Sequence, residues 1–298
     1  MALRSVHFIL TYMCNFECDH CFLSCGPTCQ GTFSLNQVDA VLKDLEGLKT
    51  VDSVGFEGGE PFLFHPLLNQ SVKLAAGYGF KTSIQTNSYW ATNESDAILW
   101  LEPLHQAGLS LLEVSDDSFH HGDADESPAQ RALAAAQILG LNTREISILK
   151  PSVCGAGDQE KGQPIYRGGP KLRGRAVETL VDGMPLVSWK KMVKCPYEDL
   201  RNPKRVHIDS FGTVHLCQGL SMGNLWEVPL SDLFRAYDPD NHPICGPILR
   251  GGPAQLANEY GLDHEEAYVD ACHMCSRACK ALMHRFPEYL GPRQVYGL

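Results

Sequence analysis

"CNFECDHC", residues 14–21, sets cysteines at 14, 18 and 21, with three residues in the first gap and two in the second. Thiolates hold soft metals, and a purely structural zinc site closes with four tetrahedral ligands. A zinc knuckle here would need His20 or Cys25 as its fourth ligand, and His20 stands directly beside Cys21. An iron-sulfur cluster takes one thiolate per iron, so three thiolates on a four-iron cube leave one iron with an open position. Open positions mark reactive metal. The run before the motif, Val6 to Tyr12, is apolar and rich in β-formers, which predicts a strand that ends at the cysteine loop.

Outward from this loop the chain alternates. Ser34-Leu35-Asn36-Gln37 is a capping box, and Leu35, Val38, Val41, Leu42, Leu45 and Leu48 follow at helical spacing. Further strands are predicted at Val51 to Phe56, Lys81 to Thr86, Leu111 to Ser115 and Glu145 to Leu149. Helices are predicted at Pro66 to Ala76, Glu94 to Ala107 with a bend at Pro103, and Ser127 to Leu139. Such alternation implies βαβ crossovers and a parallel sheet, whose functional groups collect beyond the C-terminal ends of the strands. There the sequence places the cysteines after strand one, "EGGEP" (57–61) after strand two, Thr86 and Asn87 after strand three, and Ser115 to Asp117 after strand four. Asp117, His120 and His121 are candidates for substrate-side acid or base groups. Beyond Pro151 the pattern changes: residues 152–190 read as a long Gly- and Pro-rich connection with one helix near Ala176 to Val181. Arg205 to Asp209 and Thr213 to Cys217 flank "SFG" as a hairpin, and two helices are predicted after Pro253, the second carrying "CHMCSRAC".

The 298 residues suffice for one large domain or two smaller ones. A formal net charge of −10 excludes a large nucleic-acid footprint, which needs clustered cations. The densest basic stretch, Arg167 to Arg175, reads as a solvated loop. No run approaches the roughly 18 apolar residues of a membrane span, and the N-terminal apolar run is too short for a signal peptide. The expected compartment is the cytoplasm. Twelve cysteines in a reducing compartment imply metal or redox chemistry rather than disulfides.

Cys14, Cys18 and Cys21 together with Gly58-Gly59-Glu60-Pro61 resemble the radical S-adenosylmethionine (SAM) superfamily, whose signatures are Cys-x3-Cys-x2-Cys and GGEP. The resemblance implies a partial (βα)6 TIM-like barrel in an α/β chain. It also implies a [4Fe-4S] cluster on the three cysteines, with SAM filling the open iron position. Gly58, Gly59, Glu60 and Pro61 would hold the SAM ammonium, with Asn87 and Ser115 or Asp116 at its carboxylate and ribose. Gly212-x4-Cys217 is similar to the hairpin of the SPASM and twitch extensions, which implies a small C-terminal α+β hairpin-plus-helix domain. Residues 1–190 would then be the core and 191–298 the extension. Cys195, Cys217, Cys272 and Cys275 would bind one auxiliary [4Fe-4S] cluster, with Cys245 and Cys279 as alternates and a zinc site as the competing reading. Cys25 and Cys29 read as ordinary buried thiols.

The family implication is one-electron cleavage of SAM to a 5′-deoxyadenosyl radical, hydrogen abstraction from a substrate C–H bond and net oxidation. The substrate would be a peptide or protein, or alternatively a small molecule, and a flavodoxin or ferredoxin would supply electrons. The first strand starts within a dozen residues of Met1, so no separate N-terminal recognition domain is expected. A non-enzymatic zinc or iron-sulfur protein is the reading from another class.

Overall fold

Five strands run parallel in chain order: β1 (Ser5–Thr11), β2 (Ser53–Gly58), β3 (Lys81–Thr86), β4 (Leu111–Ser115) and β5 (Thr143–Ile146). In this computed structural model, which describes residues 3–122, 126–154 and 165–298, each crossover is helical. The crossover helices are α1 (Leu35–Leu45), α2 (His65–Gly77), α3 (Glu94–Gln106), and, after the short α4 (Ser118–His121), α5 (Pro128–Ile138). The Ser34 capping box forms as predicted, and a second one, Ser127 with Gln130, starts α5. Pro103 lies inside α3.

β5 begins at Thr143, ahead of the predicted Glu145, and stops at Ile146. The backbone N–H of Ile148 donates to Asp117 Oδ2 at 3.1 Å instead of to a strand.

After the antiparallel pair β6 (Ser152–Cys154) and β7 (Ile165–Arg167) and the one-turn α6 (Ala176–Thr179) comes β8 (Val187–Ser188). Part of the predicted connection, residues 155–164, lies outside the described residues. The predicted hairpin then forms as β9 (Arg205–Asp209) and β10 (Thr213–Cys217), extended by β11 (Leu220–Asn224). β9 pairs in parallel with β1, Ser5 opposite Arg205 and His7 opposite His207. The result is one eight-stranded sheet in the order β11-β10-β9-β1-β2-β3-β4-β5. Six of these strands are parallel, as a partial (βα)6 barrel requires, and the sixth comes from the C-terminal third of the chain. The barrel stays open, with β5 and β11 as its edges.

The C-terminal helices are α7 (Leu230–Ala236), α8 (Cys245–Tyr260, kinked at Gly251–Gly252) and α9 (Ala271–Leu282), and β12 (Ala267–Tyr268) pairs with β8. One hydrophobic core joins the two halves: Phe8, Val54 and Ile84 share it with Val206, Ile208, Val214, Leu256 and Leu282.

A fully buried polar triad also joins them. Tyr12 Oη donates to Asp209 Oδ2 at 2.9 Å, and His215 Nε2 lies 3.0 Å from the same oxygen. Asp209 Oδ1 accepts from the N–H groups of Phe211 and Thr213 and so shapes the SFG turn. Tyr12 stands two residues before Cys14, and His215 two before Cys217, so one buried carboxylate ties both cysteine-bearing segments.

The basic stretch corrects its sequence reading. Arg173 is 2% exposed, and Lys171 to Arg175 pack between the two groups of cysteines instead of lying in solvent, while Gly168 and Gly169 are exposed.

Candidate functional site

At the C-terminal end of β1 the chain turns back on itself. Cys14 N–H donates to Gly26 O at 3.1 Å, Cys21 N–H to Cys18 O at 3.1 Å, and Phe16 N–H to Cys14 Sγ at 3.4 Å. Cys14, Cys18 and Cys21 thereby line one cavity, about 790 Å³ of space partly open to solvent, together with Gly58, Gly59 and Asn87. Ser115 and His120 line it as well.

Glycine at 59 is required by close approach. A Cβ there would lie 2.1 Å from Met13 O, so a side chain would push the cysteine loop away from the strand-two turn.

Glu60 is fully buried and does not line the cavity. Its carboxylate accepts from Phe62 N at 3.0 Å, Thr86 Oγ1 at 2.9 Å and Asn87 N at 2.7 Å, which ties the turn after β2 to the end of β3. Burial pushes its pKa up to about 7 against those three hydrogen bonds, which favour the charged form. Pro61 is buried at the start of the turn Pro61–Phe64. Asn87 Nδ2 donates to Asn15 Oδ1 at 2.9 Å and approaches Cys14 Sγ at 3.8 Å, so the end of β3 braces the cysteine loop. Asp116 does not line the cavity.

Asp117 caps α4 through Phe119 N and His120 N and lies 2.8 Å from His120 Nδ1. Its carboxylate is thus engaged locally, while His120 faces the cavity. His20 stacks on Phe119 at 4.3 Å between ring centroids, and its buried Nδ1 has no hydrogen-bond partner among the described residues. Burial lowers the His20 pKa to about 4 and keeps the ring neutral.

Burial also pushes the Cys14 and Cys18 thiols up to about 12. A bound metal ion reverses that, because a coordinating thiol is deprotonated outright. Cys25, 2% exposed, lines the same cavity and hydrogen-bonds Cys21, whose thiol it brings down to about 6. Cys14, Cys18 and Cys21 at a cavity walled by glycine fit a cluster that keeps one iron position open, with Cys25 as a further sulfur in the same wall.

Two groups escaped sequence reasoning. The first is Glu57, which lines this cavity and accepts from His7 Nδ1 at 3.1 Å and His207 Nε2 at 2.9 Å. Those histidines are register partners on β1 and β9, and parallel pairing puts their side chains on one face. Burial opposes ionisation of Glu57, yet the two histidines hold its carboxyl well below the usual range. A charged residue in the apolar strand "SVGFEG" was the signal. The second group is the basic segment Lys171 to Arg175.

The second cysteine site lies where β10, α9 and the segment after Lys194 meet. Cys195, Cys217, Cys272 and Cys275 line one small cavity with Lys171 and Arg173. Cys272 and Cys275 come from the first turns of α9, which Asp270 caps by accepting from His273 N at 2.7 Å. Cys279, one turn on, is buried 3.9 Å from Cys275 but outside the cavity lining. Cys245 is buried against Tyr237 and is also outside it. Burial raises the thiol pKa of Cys217 and Cys272. Arg173 Nε donates to Gln218 O at 3.0 Å and Nη1 to Cys275 Sγ at 3.6 Å, while the buried Nη2 has no hydrogen-bond partner among the described residues. An unsatisfied guanidinium nitrogen among thiols fits an anionic, thiolate-bound group.

No family model matches the chain. Among known proteins it is 23% identical over 266 residues to "Putative peptide biosynthesis protein YydG" of Bacillus subtilis (strain 168), covering 89% of this chain and 76% of that protein. It is 33% identical over 120 residues to an S-adenosylmethionine-dependent nucleotide dehydratase of Thermoplasmatales archaeon (strain ISO4-H5), 38% of this chain and 39% of that one. Among solved structures, BtrN in complex with AdoMet and 2-DOIA shares the fold, with a TM-score of 0.50 at 15% identity over 80% of this chain and 84% of that one. Among the described residues no helix is long and apolar enough to cross a membrane. The sequence likeness to a SAM-dependent enzyme over 120 residues, the fold shared with an AdoMet-bound structure and the thiols that line one cavity together support radical SAM chemistry, which uses SAM and a [4Fe-4S] cluster.

Proposed function

We propose that the chain is an oxidising radical SAM enzyme acting on a peptide or protein, with residues 1–190 as the SAM-cleaving core and 191–298 as an auxiliary-cluster extension. The observation that carries the oxidative reading is the second cysteine site, where Cys195, Cys217, Cys272 and Cys275 surround one cavity beside a buried cation. When bound, SAM and the first cluster supply hydrogen-atom abstraction from carbon, and an auxiliary cluster supplies an acceptor for the electron left on the substrate.

The chain's own residues do the rest. Cys14, Cys18 and Cys21 hold the first cluster. Gly58, Gly59, Asn87 and Ser115 form the SAM wall, with Glu60 fixing that wall from behind. His120 and Glu57 reach the cavity and are the groups placed to move a substrate proton. The peptide preference is supported by the long alignment with the YydG relative, described as a peptide biosynthesis protein. A flavodoxin or ferredoxin in a reducing cytoplasm would deliver the first electron.

The test is anaerobic reconstitution, iron and sulfide counting, and reaction with dithionite and SAM. About two four-iron clusters per chain and 5′-deoxyadenosine are expected. Absence of 5′-deoxyadenosine would sink the reading. Cys272→Ala with Cys275→Ala should spare SAM cleavage and stop net oxidation, and retained oxidation rejects the acceptor role. Deuterium transfer from labelled peptides into 5′-deoxyadenosine identifies the substrate class; transfer only from small molecules makes the chain a small-molecule dehydrogenase.

A further inference from the structure

The segment Lys171-Leu172-Arg173-Gly174-Arg175 runs between the two cysteine sites and touches both. Arg175 N–H donates to Cys21 O at 2.9 Å, its Nη1 to Cys18 O at 2.9 Å and its Nη2 to Cys25 O at 2.5 Å. The segment presses on the first loop so closely that Gly174, at φ +58°, has no room for a side chain: a Cβ would lie 2.6 Å from Phe22 C and 2.7 Å from Cys21 O. The residue before Gly174, Arg173, turns to the other site.

The two arginines are used differently. Arg175 spends its guanidinium on main-chain carbonyls, which positions the first loop. Arg173 keeps one nitrogen free. It is 2% exposed, donates to Gln218 O and Cys275 Sγ and lies beside the thiol of Cys279, and among the described residues its Nη2 has no hydrogen-bond partner. Lys171, the other cation of this cavity, is already paired, with Glu198 Oε1 at 2.7 Å and Gln218 Oε1 at 3.3 Å. A buried charge without a counter-charge is costly. With neutral thiols Arg173 would be such a charge.

We propose that Arg173 is the fixed counter-charge of the second cysteine site and raises the electron affinity of the iron-sulfur group bound there. Four thiolates bring more negative charge than an iron-sulfide core neutralises, and reduction adds one more. A buried cation that donates to a ligand sulfur lowers the energy of the reduced form most, since cluster potentials follow net charge and hydrogen bonds to sulfur. This inference rests on the auxiliary-cluster reading and deepens it, because an acceptor must take an electron readily.

The test uses the full chain with Cys14, Cys18 and Cys21 replaced by alanine, so that only the second site can hold a cluster. Anaerobic reconstitution, iron and sulfide counting and an EPR-monitored redox titration are run with Arg173, with Arg173→Gln and with Arg173→Lys. We expect Arg173→Gln to keep its iron while its equilibrium constant for reduction falls at least tenfold, about 59 mV for one electron. Arg173→Lys should titrate close to the parent. An unchanged potential in iron-loaded Arg173→Gln overturns the role of Arg173 alone, and so does a fall in Arg173→Lys equal to that in Arg173→Gln. If Arg173→Gln takes up no iron, retention by Arg173→Lys supports the counter-charge and loss from both variants overturns it. If the parent itself takes up no iron, the auxiliary cluster fails, and the role of Arg173 with it.

Discussion

Cys25 puts a fourth sulfur beside Cys14, Cys18 and Cys21, and this is where zinc and a SAM-binding cluster part ways. Its thiol hydrogen-bonds Cys21 and lies at the cavity wall, so a tetrahedral zinc site could recruit it. A cluster whose fourth iron stays open has no need of it. Cys25→Ser is therefore expected to keep full iron loading at the first site, whereas serine at 14, 18 or 21 abolishes it; iron content and the EPR signal of the reduced cluster decide. Gly59→Ala should depress that loading too, because its methyl would meet Met13 O at 2.1 Å in a turn that cannot retreat from the loop. The three cysteines and GGEP were legible in the sequence because their chemistry lies in local spacing. Glu57 was not, since its partners His7 and His207 stand 50 and 150 residues away and meet it only through strand pairing.

At the scale of elements, buried polar groups hold the cysteine-bearing segments to each other. Asp209→Ala leaves Tyr12 and His215 without their shared partner. Breaking such a buried network costs about 3–5 kcal/mol, and a lower denaturation midpoint with loss of iron at both sites is the expected outcome. His242 plays a similar part before α8. Its Nε2 donates to Ser221 O at 2.8 Å, and its Nδ1 accepts from Ile244 N and Cys245 N, each at 3.1 Å. Burial lowers its pKa and keeps the ring neutral in the fold. The unfolded chain binds that proton more readily, so stability falls as pH drops below about 6.5 towards the folded value. His242→Asn is expected to flatten this fall and to cost about 1–2 kcal/mol at neutral pH by removing the buried donor. Urea midpoints of both proteins at pH 7 and 5.5 measure it.

Over the whole molecule, the core and the C-terminal part share one sheet and one hydrophobic core. Removing residues 191–298 would strip β9 from β1 and expose the apolar residues packed behind it. A 1–190 fragment is thus expected to be partly unfolded and aggregation-prone, with limited proteolysis and circular dichroism as the readout. A stably folded fragment would show instead that β1–β5 and their helices suffice. The proposed division at 190/191 is accordingly one of cofactors, made within a continuous sheet.

The sequence by itself determined the alternating α/β plan, nearly every core strand and helix, and the residues that announce SAM chemistry. All of these rest on short-range periodicity, capping and motif spacing. Only the tertiary structure decided that β9 becomes the sixth parallel strand, that Cys195, Cys217, Cys272 and Cys275 line one cavity while Cys245 and Cys279 stay outside its lining, and that Arg173 is buried against them. Those depend on contacts between distant parts of the chain, 200 positions apart for Ser5 and Arg205 and 102 for Arg173 Nη1 and Cys275 Sγ. A run of Lys and Arg among glycines has the composition of a solvated loop, and only acceptors brought from elsewhere in the chain, such as Glu198 and the carbonyls of Gln218 and Cys18, draw it inside.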